Sequence, residues 1–297
     1  MSREERMSVT ATMVKELRDT SGAGMMDAKK ALIETDGNMD AAIDWLRTKG
    51  LAKAAKKSDR TAAEGLVCLN VNSDGAVALE VNSETDFVAK NDEFQRLVSQ
   101  LTIAASGCDS IEALNEIEIE GRDVESLVAE KIAKIGENIS VRRLCKLSGK
   151  NISSYVHNSV SLNMGKIGVL VQLSEKQDEL GRQIAMHIAA TNPASLSEKD
   201  LSEELIEREK LILTEQAKDS GKPDNIIDNM IKGRLKKYFE EVTLLNQKFV
   251  MNQDITVSEA VKLAGVEIIN FIRLEVGEGI DKKEEDFAAE VAKTMNG

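Results

Sequence analysis

Glu84 and Asp86 flank Thr85 in the stretch SETDFVAKND (83–92), and Phe87 follows directly. Two acids at that spacing could serve a metal-assisted hydrolase, but such a centre wants histidine or cysteine support. The chain has two histidines, His157 and His187, and neither lies in an H-E-x-x-H pattern or beside zinc-type cysteine spacing. Cys68, Cys108 and Cys145 are far apart, lack any C-x-x-C spacing, and read as small reduced residues of a cytosolic protein. No Walker-type phosphate loop or G-x-S-x-G elbow is present. GAGMMD (22–27) begins like a dinucleotide fingerprint, but it lacks the third glycine and follows a helical pattern, not a strand. The balance shifts from an enzyme toward a protein that acts by binding.

Phe87 raises a separate question. Aromatics make up 3% of the 297 residues, and Phe87 is one of six phenylalanines, set in a polar turn between a strand and a helix pattern. Either it is a core residue displaced by one turn from where periodicity puts it, or it is held outward for contact.

The totals narrow the partners. Fifty-one acids against thirty-nine bases give a net charge of −12, which argues against nucleic acid and anionic membranes as main partners. No apolar run approaches the roughly 18 residues of a spanning helix. The opening MSREERM carries charge without an apolar stretch, so residues 1–7 read as an extension and not a secretory signal. A chain of this length supports two or three domains.

Stepping along the chain, residues 8–50 read as three short helices. Val14 and Leu17 share a stripe closed by Gly22, the second helix ends at Gly37, and the third starts at Asn38 and ends at Gly50. Residues 51–64 concentrate Lys53, Lys56, Lys57 and Arg60, as a solvated linker or a basic contact patch. The period then switches to two: GLVCLNV and GAVALEVN form strands joined by NSDG. Phe94, Leu97, Val98 and Leu101 share a helix face, a second helix covers about 123–135, and ISVRRLCKL is a strand.

The strand, turn and helix then recur. GAVALEVN leading to FQRLVSQLTIAAS matches KIGVLVQL leading to LGRQIAMHIAAT, but the first copy inserts the longer SETDFVAKND at the turn. An insertion beyond the shared framework is the better functional candidate. Leu201, Leu205 and Ile212, with Ile206 and Leu213, suggest a near-heptad seam, answered by Ile227, Met230, Ile231 and Tyr238 after the turn at DSGKPDN. Thr256 and Glu259 fit a capping box, EIINFIRLEV returns a strand, and DKKEEDFAAEVAKTM is a final amphipathic helix.

The reading is an α+β fold. An extension (1–7) precedes a three-helix domain, ubiquitin-associated-like (UBA-like) in shape (8–50), and a basic linker (51–64). Two similar α+β core subdomains with antiparallel sheets follow, one over 65–149 and one over 150–195 with 256–280. An antiparallel helical hairpin with its return segment is inserted at 196–255, and a C-terminal helical module closes the chain (281–297). An adaptor that docks another protein through its N-terminal helices is compatible with this organisation.

Several collinear motifs add to it. VKELRDTSGAGMMDAKKAL, EVNSETDFVAKNDEF, AKIGENISVRR, AMHIAA, FIRLEVGEGI and DFAAEVA together resemble bacterial elongation factor Ts, the nucleotide-exchange factor for the translational GTPase EF-Tu. The likeness covers nearly the whole chain in order. Departures are small: TSGAG carries one extra residue at Ser21, Ala28 stands where cysteine is common, and NSVSLNMG after His157 is longer than the usual turn.

The resemblance implies an exchange factor without covalent catalysis and without a cofactor. Its partner would be EF-Tu, with no direct nucleic acid, membrane or small-molecule substrate. Thr85, Asp86, Phe87 and Val88 would disturb the Mg²⁺ and phosphate environment of the GTPase, Phe87 as a wedge and Asp86 near the metal shell. A carboxylate suits that role because Mg²⁺ tolerates little distortion of its oxygen geometry. Met25, Met26 and Lys29 would contact the GTPase domain, and Ile135 and Gly136 mark a turn of close approach. His157, Val250 and Met251 complete the implied contacts. For the methionines, core packing is the alternative, and Lys29 as a solvated side chain is another. His187, on an apolar helix face, reads as a core histidine.

Overall fold

The computed structural model describes residues 9–218 and 223–281. Three helices open it: α1 (Ala11–Ser21), α2 (Met25–Glu34) and α3 (Met39–Ala55). Next come β1 (Glu64–Val71), β2 (Gly75–Ser83), the one-turn α4 (Asp86–Ala89), α5 (Asp92–Ala105) and α6 (Ile111–Asn115). A small ribbon, β3 (Glu118–Ile119) with β4 (Arg122–Asp123), leads into α7 (Val124–Ile135) and β5 (Ile139–Ser148). The second half runs β6 (Ile152–Ser161), β7 (Met164–Leu173), α8 (Asp178–Thr191), α9 (Glu203–Lys218) and α10 (Asp224–Val242). It ends with β8 (Lys248–Phe249), β9 (Asn252–Thr256), α11 (Val257–Leu263) and β10 (Ile268–Glu275). Helices and antiparallel strand pairs together make this an α+β protein. The expected extension (1–7), the turn at 219–222 and the C-terminal module from 282 onward lie outside the described residues.

The chain divides into two compact units, one of residues 1–66, 79–144 and 276–297, the other of 67–78 and 145–275. In the first, α1–α3 enclose a small core of Val14, Leu17, Ala28, Ala31, Leu32 and Ala42. Thr10 caps α1, and Gly22, at φ 68, closes it by donating its N–H to the Arg18 carbonyl. Asn38 starts α3 as expected, but the helix does not stop at Gly50 and continues to Ala55. Glycine inside a helix costs about 1 kcal/mol, and here the good helix formers Leu51, Ala52, Ala54 and Ala55 follow it. Arg47 on α3 also donates to Asp123 (2.6 Å) and Ser126 (3.1 Å) at the start of α7. Three residues of the basic stretch have partners inside the unit: Lys53 with Asp27, Lys57 with the Gly136 carbonyl, and Arg60 with Glu84. They do not form a free basic patch.

Phe94, Leu97, Val98 and Leu101 of α5 are fully buried, as their spacing predicts. Glu80 on β2 is fully buried as well, paired with Arg142 (3.1 Å) and Arg143 of β5. It also accepts the Gly277 N–H at 2.8 Å, so a buried charge is matched by two guanidinium groups and a backbone donor. The α6 helix and the β3–β4 ribbon escape sequence reading because strands of two residues show no periodicity.

The main sheet has the order β10-β7-β1-β2-β5, with β6 also on β7. Strands expected in two subdomains thus share one sheet. The ten-residue β7 is long enough to pair β10 through Ile167–Leu173 and β1 through Met164 and Gly165, all antiparallel. The segment 158–165 is not the long turn expected. β6 runs on to Ser161 with a bulge after Ser159, and only Leu162 and Asn163 turn the chain. Asn163 adopts φ 58, a left-handed backbone that asparagine tolerates at a turn.

The core beside this sheet contains Val169, Val171, Ile184, Ile188, Leu244, Phe249 and Ile268. The expected seam holds in part: Leu201 and Leu213 are buried and Ile206 is half-buried, joined by the buried Ala217, while Leu205 and Ile212 are exposed. Doublets such as Leu205-Ile206 and Ile212-Leu213 satisfy either phase of a helical stripe. α9 packs against α10, and Arg234 donates to Gln216 across them at 3.1 Å. The β8–β9 ribbon was not expected, whereas the capping box of α11 is as read: Thr256 N–H to Glu259 at 2.7 Å and Glu259 N–H to Thr256 at 3.2 Å. Among the described residues, no helix is long and apolar enough to cross a membrane.

Candidate functional site

The turn after β2 sorts its apolar residues by direction. Successive residues of a helical turn diverge by about 100°, so the arc of about 200° from Phe87 through Val88 to Ala89 in α4 is too wide for all three to face inward. Val88 is 6% exposed and Ala89 is buried, while Phe87 is 77% exposed. Phe87 is therefore no displaced core residue. Lys90 pairs with Asp86 at 2.8 Å, and its ammonium lies 5.8 Å from the centre of the Phe87 ring. One cation thus borders both side chains at the tip.

Reciprocal hydrogen bonds hold this turn to the C-terminal end of α7. Glu137 accepts the Thr85 N–H at 2.9 Å and the Thr85 hydroxyl at 2.7 Å. Glu84 in return accepts the Asn138 N–H at 2.6 Å and lies 3.6 Å from Arg60. The Asn138 amide donates to the Ser58 and Arg60 carbonyls. Gly136 makes the geometry possible. At φ 91 it ends α7, donates to the Ile132 carbonyl at 2.9 Å, and turns the chain toward Thr85. Ile135 beside it is half-buried.

The structure thus brings Thr85–Val88 and the Ile135–Gly136 turn together. It also adds Glu84, Glu137 and Asn138, which sequence reading did not single out for positioning. Glutamates next to predicted site residues in SETDF and KIGEN were the only signal. Glu84 and Asp86 are engaged by different partners, and among the described residues no group of three or more His, Cys, Asp or Glu could hold a metal.

Met25, Met26 and Lys29 lie on the first turns of α2. Met25 and Met26 are strongly exposed, Lys29 is exposed, and Ala28 between them is buried. Neither methionine fills this chain's own core.

The remaining candidates belong to the second unit. His157 is exposed on β6, opposite Ile167, and its Nδ1 lies 3.1 Å from the Tyr155 hydroxyl. Val250 and Met251 form the two-residue tip of the β8–β9 ribbon, 43% and 42% exposed. His187 on α8 is fully buried, as read from its apolar face. Burial pushes its pKa below the ordinary histidine range, a hydrogen bond to Gln247 opposing in part, so the ring is neutral near pH 7.

The arrangement sets exposed apolar side chains on turns, the one at Phe87 braced by Glu137. A family model described as "Elongation factor TS" matches residues 84–278, about two thirds of the chain. The chain is 62% identical over 291 residues to the elongation factor Ts of Dinoroseobacter shibae, covering 98% of this chain and all of that protein. It is 61% identical to that of Paracoccus denitrificans and 58% to that of Roseobacter denitrificans, with the same coverage. With the match spanning both units and the braced TDFV turn, the chain belongs to the elongation factor Ts family.

Proposed function

We propose that this protein is the guanine-nucleotide exchange factor for EF-Tu in translation elongation, and that Phe87 drives GDP release as a wedge. The observation that carries the wedge is an exposed Phe on a turn whose neighbours are buried and whose backbone is braced by Glu137. A large apolar side chain held in water gains its burial only in a partner, worth roughly 1.5–3 kcal/mol for one Phe. Asp86 competes near the Mg²⁺ shell, while Thr85, bonded to Glu137, and the buried Val88 act from within the turn by holding the tip in place. Met25, Met26 and Lys29, Ile135 and Gly136, His157, and Val250 with Met251 supply further contacts. The N-terminal helices act as a UBA-like docking domain, and α9–α10 as an inserted hairpin between core subdomains.

Coupling between sites is reciprocal, so nucleotide weakens the factor's hold on EF-Tu by the factor by which the protein weakens nucleotide binding. New GTP therefore displaces it, without covalent chemistry. Stopped-flow release of fluorescent GDP from EF-Tu tests the reading. The wild-type chain should accelerate release, Phe87→Ala should lose about 10- to 100-fold of that acceleration, and excess Mg²⁺ should slow it. No acceleration by the wild type removes the exchange function; full acceleration by Phe87→Ala removes only the wedge.

A further inference from the structure

Val250 and Met251 sit at the end of a ribbon too slight to fix them. β8 has two residues and its pairing with β9 shifts register between Lys248 and Phe249, so beyond the buried Phe249 the ribbon has little pairing of its own to hold its tip. The Val250 backbone is nevertheless anchored. Its N–H donates to Nδ1 of His187 at 3.2 Å, and Nε2 of the same ring lies 2.9 Å from Gln247 Oε1. A backbone N–H can only donate, so Nδ1 carries no proton, and the neutral ring donates from Nε2 to Gln247. Gln247 donates in turn to the Glu241 carbonyl at 2.7 Å, and its Oε1 lies 3.0 Å from the Thr191 hydroxyl. The Phe249 ring packs 5.9 Å from the imidazole, tilted by 50°.

The geometry points to His187 as the positioning residue of the Val250–Met251 contact tip, tying it to the rigid α8 helix. The inference rests on the proposed contact role of that tip. An imidazole does this because it offers an acceptor to one segment and a donor to the other from one planar ring. An aliphatic side chain would leave the Val250 N–H without its partner.

Asparagine and glutamine separate the two halves of the ring. In His187→Asn the amide oxygen can take the Nδ1 position and keep the Val250 acceptor. In His187→Gln the longer amide reaches the Nε2 position and leaves that N–H unpaired. In the full-length free protein, hydrogen exchange at Val250 should be about three- to tenfold faster in the Gln variant than in the Asn variant. Binding to nucleotide-free EF-Tu should weaken in the same order. Melting temperatures and β7 amide exchange report any general loss of packing. Equal exchange at Val250 in both variants overturns the assignment. If Val250→Ala and Met251→Ala bind EF-Tu like wild type, the contact reading fails instead, while Val250 exchange still decides the positioning. The imidazole ¹⁵N spectrum of the unsubstituted protein gives a check that no misfolded variant can spoil: a proton on Nδ1 of His187 overturns the assignment.

Discussion

Removing the Glu137 carboxylate should cripple exchange without touching any residue at the tip. Glu137→Ala deletes the acceptor of both the Thr85 N–H and the Thr85 hydroxyl, at 2.9 and 2.7 Å. Hydrogen bonds to a charged partner contribute about 1.5–3 kcal/mol each when well buried. Both groups here are part-exposed and water can replace the carboxylate, so a total near 1–2 kcal/mol is the working figure. Spent on ordering the turn, that lowers the fraction of molecules presenting Phe87 correctly, and apparent affinity falls by the same fraction. Stimulated GDP release at sub-saturating factor should therefore drop about 5- to 30-fold.

Glu137→Gln is the discriminating control. Its amide oxygen can accept the Thr85 N–H while its NH₂ donates to a reversed Thr85 hydroxyl, so both links survive without the charge. Release should then stay within about threefold of wild type. Wild-type rates for Glu137→Ala would refute the brace. A Gln variant as slow as the Ala variant would show that the charge acts, not the geometry.

Two further outcomes follow from the same packing. Val88→Ala, beside Phe87 but buried, should destabilise the fold by about 1–3 kcal/mol in urea unfolding, whereas Phe87→Ala should stay within about 0.5 kcal/mol. Equal losses would mean that α4 does not sort the two side chains as described. The carboxyl of Asp123 is held below the ordinary aspartate range, first by the Ser126 N–H and the Ser126 hydroxyl and then by Arg47, with burial opposing. Its folded value lies below its unfolded one, so its contribution is fully present above the unfolded value, about 3.9, and is lost as pH falls through the folded value. The melting temperature of wild type should fall more steeply than that of Asp123→Ala over that acid range. Parallel curves would discount this cap.

Local chemistry made much of the protein readable in advance. Helix ends at Gly22, Asn38 and Thr256 follow from side chains or glycines that satisfy exposed backbone groups within a few residues. The strands β1, β2, β5 and β7 follow from short apolar, β-branched runs bounded by turn residues, and the burial of α5 from a clean 3.6-residue stripe. Where a local rule met a competing tertiary contact, it gave the wrong answer. Gly50 did not end α3, because the helix carries good formers beyond it and Arg47 ties it to α7. Of the expected seam, Leu201, Ile206 and Leu213 turn inward but Leu205 and Ile212 do not, because adjacent apolar doublets leave the choice to whatever packs against them.

The candidate site divides along the same line. Residue types and their order marked Thr85–Val88 as an insertion carrying an aromatic, but left Phe87 either buried or presented. Only the fold chose, by winding one helical turn that spends its inward positions on Val88 and Ala89 and by setting Glu137, fifty-two residues away in sequence, under Thr85. The link from His187 to Val250 spans sixty-three residues. A sequence encodes neighbours within a turn or a strand through periodicity and capping. Which distant carboxylate or imidazole meets which backbone N–H depends on how those elements pack, and so that part of the site belongs to the tertiary structure alone.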